Sequence, residues 1–230
     1  MIALLQECAP ERLGSHLKAS GVCARRYSDP MRLGPPLRRS FFERPCLEVA
    51  RDLVGTHIFR ILGDGTRLMG RLVEVEAYLG DGSDPGSHSQ CGPTARNASM
   101  FATPGRIYAY RIYGIHTCIN LVCEAKGIGA AVLLRAIEPL TGIPTMRAHR
   151  GLRADQSDLW IARGPGRLAV ALDLGMDADG ETALRGAVSL RQDPSAGSAL
   201  HGGRIRQSRR IGVNRGGELP YRFFIEGSPW

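Results

Sequence analysis

Between Leu72 and Tyr78 apolar and acidic side chains alternate, so a strand would carry Val73, Val75 and Ala77 on one face and Leu72, Glu74, Glu76 and Tyr78 on the other. Upstream, THIFRIL (56–62) is a second extended run, and the intervening GDGT supplies the Asp-Gly pair of a hairpin turn. RIYAYRIY and IHTCINLVC meet at Tyr113-Gly114, which predicts another hairpin with Tyr108, Tyr110 and Ile112 on one face and Tyr113 at its tip. AAVLLRAIE (130–138) is an apolar strand interrupted by Arg135, and AVSLRQD, RIRQSRRIGV and YRFFIEG predict further strands. Three stretches predict helices. One follows Pro45, with Leu47, Ala50, Leu53 and Val54 as its stripe and Gly55 as its stop. The second is PLTGIPTMRAHRGL up to Gly151, and the third runs from Pro165 to Gly175 with Leu168, Ala171 and Leu172 inward.

Two features stand out against this pattern. A loop of about sixteen residues, Leu79 to Thr94, holds His88, and loops of that length inside a domain tend to carry function. Arg135 is costly in an apolar strand unless it lines a cavity or an anion answers it, with Glu76 or Glu138 as the candidate anion. On pattern alone, Glu74 and Glu76 read as a solvated strand face.

Composition sharpens the choice of partner. The 230 residues suit one large domain or two small ones and carry a formal charge of +8. All but Lys18 and Lys126 of the 30 basic residues are arginine, whose planar fork pairs bidentately with phosphate, so a polyanion is the first partner to consider. The six cysteines form no CxxC pair and read as free thiols of a reducing compartment; Cys118 and Cys123, five apart, fall on opposite strand faces. No apolar run approaches the roughly 18 residues of a membrane span. Residues 1–37 are basic and without sustained period, and read as a poorly ordered extension before a domain of 38–230.

The motifs exclude several chemistries. There is no GxSxG elbow, HExxH, HxE…PCxxC, P-loop or dinucleotide fingerprint, so no metal or cofactor is expected. One carboxylate beside aromatic rings and basic residues suits hydrolysis of a glycosidic bond through a positively charged sugar, the acid activating a water.

The segments VEVEAYLG, SH, GPTARNASMF, PGRIYAYRIYGIHTCINLV, AVLLRAIEPL, RGPGRLAVALDL, RIGV and ELPYRFFIEGSPW occur in this order across residues 38–230, and together they resemble the alkyladenine (3-methyladenine) DNA glycosylase family. The resemblance implies an α+β fold, one mixed domain on a curved antiparallel sheet with flanking helices and a protruding hairpin. It implies that Glu76 activates the attacking water and Arg135 helps to hold it. Tyr78, His88 and Tyr110 would surround a flipped base, and Asn120 would crowd a guanine 2-amino group. Tyr113 would enter the minor groove, with Arg96, Arg167, Arg209 and Arg210 on the DNA. The implied partner is duplex DNA with alkylated or deaminated purines, bound by a monomer without cofactor. The expected location is the bacterial cytoplasm, at the nucleoid.

Three departures accompany the resemblance: Arg167 stands where the family's GPxKL carries lysine, His116 where an aromatic ring is common, and the loop from His88 to Thr94 is shorter. With Lys18 in the extension and Lys126 in a turn, no lysine is placed for Schiff-base chemistry, which implies a monofunctional enzyme. The rival readings are a non-catalytic lesion- or RNA-binding module and a sugar hydrolase using Glu74 or Glu138 as second acid.

Overall fold

Helix α1 (Arg39–Phe42) and helix α2 (Cys46–Leu53) bring Phe42, Cys46, Val49, Ala50 and Leu53 together as one buried stripe, and Pro45 sits at the N-cap of α2. The computed structural model describes residues 34–194 and 204–230. Strand β1 (His57–Ile61) and strand β2 (Arg67–Tyr78) form the first hairpin, with His57 opposite Arg71 and Ile61 opposite Arg67. Strands β3 (Ile107–Ile112) and β4 (His116–Cys123) form the second, and β5 (Ala130–Thr141) lies between β4 and β2.

Beyond β5 come helix α3 (Ile143–His149), helix α4 (Pro165–Ala171) and strand β6 (Val188–Arg191) on the far edge of β1. Strands β7 (Ile205–Ser208) and β8 (Arg222–Ile225) pair with each other, and β8 also pairs with β2. The result is a curled, all-antiparallel eight-stranded sheet with flanking helices, a single mixed α+β domain.

Several boundaries move from their expected places. Pro139, Leu140 and Thr141 extend β5 instead of opening α3, and the strand expected over 204–213 ends at Ser208. Leu37 donates its N–H to Leu190 and is buried, so packing of the described chain begins before residue 38. The extension through residue 33 lies outside the described residues.

One irregularity positions the site. The β2–β5 register shifts at Leu72/Glu74 and again at Glu74/Val75, leaving Val73 and Arg135 without directly opposed partners. Both strands therefore change face together. Leu72 joins Val75 and Ala77 in the main core, with Leu134 and Ile137 opposite, instead of sharing a face with Glu76 and Tyr78. On the other face Met100, Tyr108, Val122 and Ala131 form a second small cluster against which Tyr78, Phe101 and Tyr110 pack.

Candidate active site

Past the kink, β2 presents Glu76 away from the main core and into an enclosed position where it is fully buried. A buried carboxylate must be answered by donors, and three are present. Its Oε2 accepts from the Tyr78 hydroxyl at 2.9 Å and from Arg135 Nη1 at 3.2 Å, and its Oε1 accepts from the backbone N–H of Ile211 at 2.8 Å. Arg135 also donates from Nε to Glu74 Oε1 at 2.8 Å, and Glu74 receives Arg222 Nε at 2.6 Å. The pair of acids is thus a two-arginine, two-carboxylate network and not a solvated face. Burial works against the Arg135 charge, but Glu76 and Glu74 outweigh it and hold its pKa above the ordinary value. Glu138, the other candidate partner, bonds Arg71 instead.

The aromatic groups converge beside this network. His88 Nδ1 lies 2.7 Å from the Tyr108 hydroxyl, and the His88 ring stands edge-on to Tyr110 at 4.5 Å. Although one side of His88 is open to solvent, its ring is packed on these tyrosines; burial, then the charge of Arg96, lowers its pKa. Burial pushes Tyr108 up to about 12 and raises Tyr110 further. Asn120 is buried and donates to the Tyr108 carbonyl at 2.9 Å. A cavity of about 20 Å³ between Tyr78, His88, Tyr110 and Asn120 opens beside a cleft of about 940 Å³.

That cleft has a one-signed rim. Among the described residues no aspartate or glutamate lines it, while Arg96, Arg111, Arg150, Arg163, Arg167 and Arg215 do, together with Arg135. At its edge stands Tyr113, 83% exposed. Tyr113 and Gly114 are the central residues of a turn closed by Ile115 N–H to Ile112 C=O at 3.3 Å, with φ of 54° and 73°. Two positive φ values are what a mirror-image hairpin turn requires, and tyrosine adopts one at a cost.

Of the expected site residues, Glu76, Tyr78, Arg135, His88, Tyr110, Asn120, Tyr113, Arg96 and Arg167 come together around the cleft and its inner cavity. Arg209 is exposed outside the cleft lining. Arg210 requires a correction: expected on DNA, it is buried, with Nη1 and Nη2 on the Asp84 carboxylate at 2.7 and 2.6 Å. It also donates to the carbonyls of Ala77 and Gly216 and stacks over Tyr78 at 4.5 Å, so its charge anchors the 79–94 loop and the 210–217 segment to β2.

Sequence reading missed Asp84, the Ile211 N–H, and Asn97, which holds the His88 carbonyl at 2.8 Å and closes on Thr94. Asn97 carried a local signal, a Thr three residues ahead in a polar loop. A backbone donor carries none.

A buried acid beside clustered aromatic rings, next to a cleft whose acid or base side chains among the described residues are arginine and histidine, is an arrangement suited to a flat ring carried on a polyanion. Comparison with known proteins is specific on this point. Residues 40–229 match the sequence profile of the family described as Methylpurine-DNA glycosylase (MPG). The chain is 41% identical over 192 residues to a protein of Methanoculleus marisnigri, covering 84% of this chain and 96% of that one. It is 43% identical over 205 residues to one of Bradyrhizobium diazoefficiens (87% and 92% covered), and 44% identical over 200 residues to one of Rhodopseudomonas palustris strain HaA2 (86% and 91% covered). All three bear names that assign them, by inference, as 3-methyladenine DNA glycosylases. The chain belongs to the methylpurine-DNA glycosylase family, and is a DNA glycosylase, a hydrolase of N-glycosyl bonds.

Proposed function

We propose that this protein is a monofunctional, monomeric glycosylase that removes alkylated purines of the 3-methyladenine type, and deaminated purines, from duplex DNA by flipping the damaged nucleotide out of the stack, and so initiates base excision repair. The observation that carries this reading is the enclosure of Glu76 between Tyr78, Arg135 and the Ile211 N–H. A carboxylate has about four lone-pair sites, and three donors leave one for a water. In the proposed step Glu76 takes a proton from that water while its oxygen bonds to C1′. The C1′–N bond breaks with its electron pair going to the base. The charge of Glu76 and the position of Arg135, which lines the cleft, support the oxocarbenium-like sugar and the water.

A purine alkylated at N3 or N7 is cationic and leaves neutral, so its departure needs no general acid. The electron-rich faces of Tyr78 and Tyr110 favour such a ring. The 20 Å³ cavity is too small for a purine, so the base sits where it meets the larger cleft, with His88 at its edge and Asn120 at its floor. Tyr113, out at the hairpin tip, fills the vacated stack and offsets part of the few kcal/mol that flipping costs. Arg96, Arg167 and Arg209 take phosphates. Lys126, the one lysine among the described residues, lies exposed in the turn after β4 and outside the cleft lining, which supports a reaction that leaves the abasic strand uncut.

The test is single-turnover release of base from duplexes carrying one 3-methyladenine or hypoxanthine, wild type beside Glu76→Gln. The substitution should keep lesion binding and abolish release. A wild type that binds the lesion yet frees no base would reduce the protein to a recognition module.

A further inference from the structure

Arg167, the arginine at the family's lysine position, lines the cleft and is held at two points. Its guanidinium carbon lies 4.6 Å from the centroid of the Trp160 ring, and Nη1 donates to the Arg163 carbonyl at 3.4 Å. Trp160 is half exposed, at the end of a short 3-10 turn (Asp158–Trp160). That turn is itself braced. Arg147 of α3 bonds the Asp158 carboxylate and, at 3.0 Å, the Gln156 carbonyl.

A half-exposed tryptophan whose face is occupied by a cation suggests a platform more than a core residue. Beside it, Arg150 donates from Nε to the Ile161 carbonyl at 3.0 Å. Burial and then the neighbouring charge of Arg167 lower the pKa of Arg150. Arg150 and Arg167 both line the cleft, which among the described residues no acid lines. An anion supplied from outside would relieve their repulsion.

We infer that Trp160 is a positioning residue that holds the Arg167 fork flat over the cleft, so that Arg167 and Arg150 together clamp one phosphodiester of the bound strand. The identity of the polyanion as DNA rests on the glycosylase reading above; the clamp itself rests on these contacts. A guanidinium lies face to face on an indole and keeps its edge donors free for phosphate, which a compact ammonium does not. Fixing the side chain beforehand removes ordering that binding would otherwise require.

The experiment is a double-mutant cycle on equilibrium binding to a lesion-free duplex, followed by fluorescence anisotropy across a salt series. Trp160→Ala should weaken binding about two- to fivefold, the range of an exposed to partly desolvated cation–π contact, and Trp160→Phe less. Arg167→Ala should lower the salt slope by about one phosphate contact. In the Arg167→Ala background, removing Trp160 should cost nothing further. A merely structural tryptophan would weaken binding equally in every background. That result, or wild-type affinity for Trp160→Ala, overturns the inference. If Trp160→Ala does not fold, the cycle is run with Trp160→Leu and Arg167→Ala. Lesion-free binding is independent of base release, so a wild type that excises nothing sinks the glycosylase reading while the cycle still judges the clamp.

Discussion

The Tyr78 hydroxyl donates to Glu76 Oε2 across 2.9 Å, joining the base-facing ring and the buried acid two residues apart on one strand. Burial, and after it the charge of Glu76, holds the Tyr78 phenol far above its ordinary range, so it remains a donor throughout the working pH range. Tyr78→Phe keeps the ring and removes one of three donors from a fully buried carboxylate. The expected cost is about 1.5–3 kcal/mol of folding stability, the value of a hydrogen bond to a charged group. Urea unfolding measures it, and lesion affinity should change far less. An unaltered midpoint would mean that the hydroxyl does not support Glu76.

Arg209 and Arg210 are adjacent in sequence and opposite in role. Arg210 is locked on Asp84 and two carbonyls in the interior, whereas Arg209 is exposed. Arg210→Ala leaves Asp84 as an uncompensated buried charge and should cost about 3–5 kcal/mol of stability. Arg209→Ala should alter stability by less than about 0.5 kcal/mol. It should lower the salt slope of DNA binding by about 0.9 if it holds one phosphate. Thermal melts beside a salt titration separate the two. The opposite assignment of effects would restore Arg210 to the surface.

These two arginines show where sequence pattern stops being informative. The RIRQSRR run looks uniform along the chain, and the partner that buries one of its members, Asp84, lies 126 positions away in a polar loop. Glu76 poses the same problem. An acid in an alternating strand reads alike whether its face meets water or an enclosed layer of rings. Only the shared β2–β5 kink, which seats Arg135 between Glu74 and Glu76, decides it. By contrast, the two hairpins, the apolar β5 and the proline-opened α4 were legible, because turn chemistry and strand period are local. So was the exposed Tyr113, because a Tyr-Gly pair between two strands places the ring at a hairpin tip.

His88 sets a pH dependence of known sign. Its folded pKa is lowered by burial and by Arg96, so the unfolded chain binds the proton more tightly. Stability therefore rises with pH through this group, and is lost as pH falls below the ordinary histidine value of about 6.5. His88→Gln removes that linkage. Between pH 7 and pH 5 the variant should lose less stability than wild type, while other titrating groups cancel in the comparison. Parallel urea-unfolding free energies at the two pH values would show that His88 is not held neutral by its surroundings.

Tyr113 offers a substitution whose two effects run in opposite directions. Its φ of 54° at an exposed turn costs about 1–2 kcal/mol for most side chains, and asparagine adopts that conformation readily. Tyr113→Asn should therefore leave the melting temperature unchanged or raised, since the ring is 83% exposed and buries little. The same change removes the ring proposed to fill the vacated stack. Excision from a fully paired duplex should fall, and fall much less for a lesion opposite a gap or in single-stranded DNA, where little stacking has to be broken. A destabilised variant would mean that the ring packs more than its exposure indicates. Equal losses on paired and unpaired substrates would mean that Tyr113 contributes general affinity, without acting as a wedge in the stack.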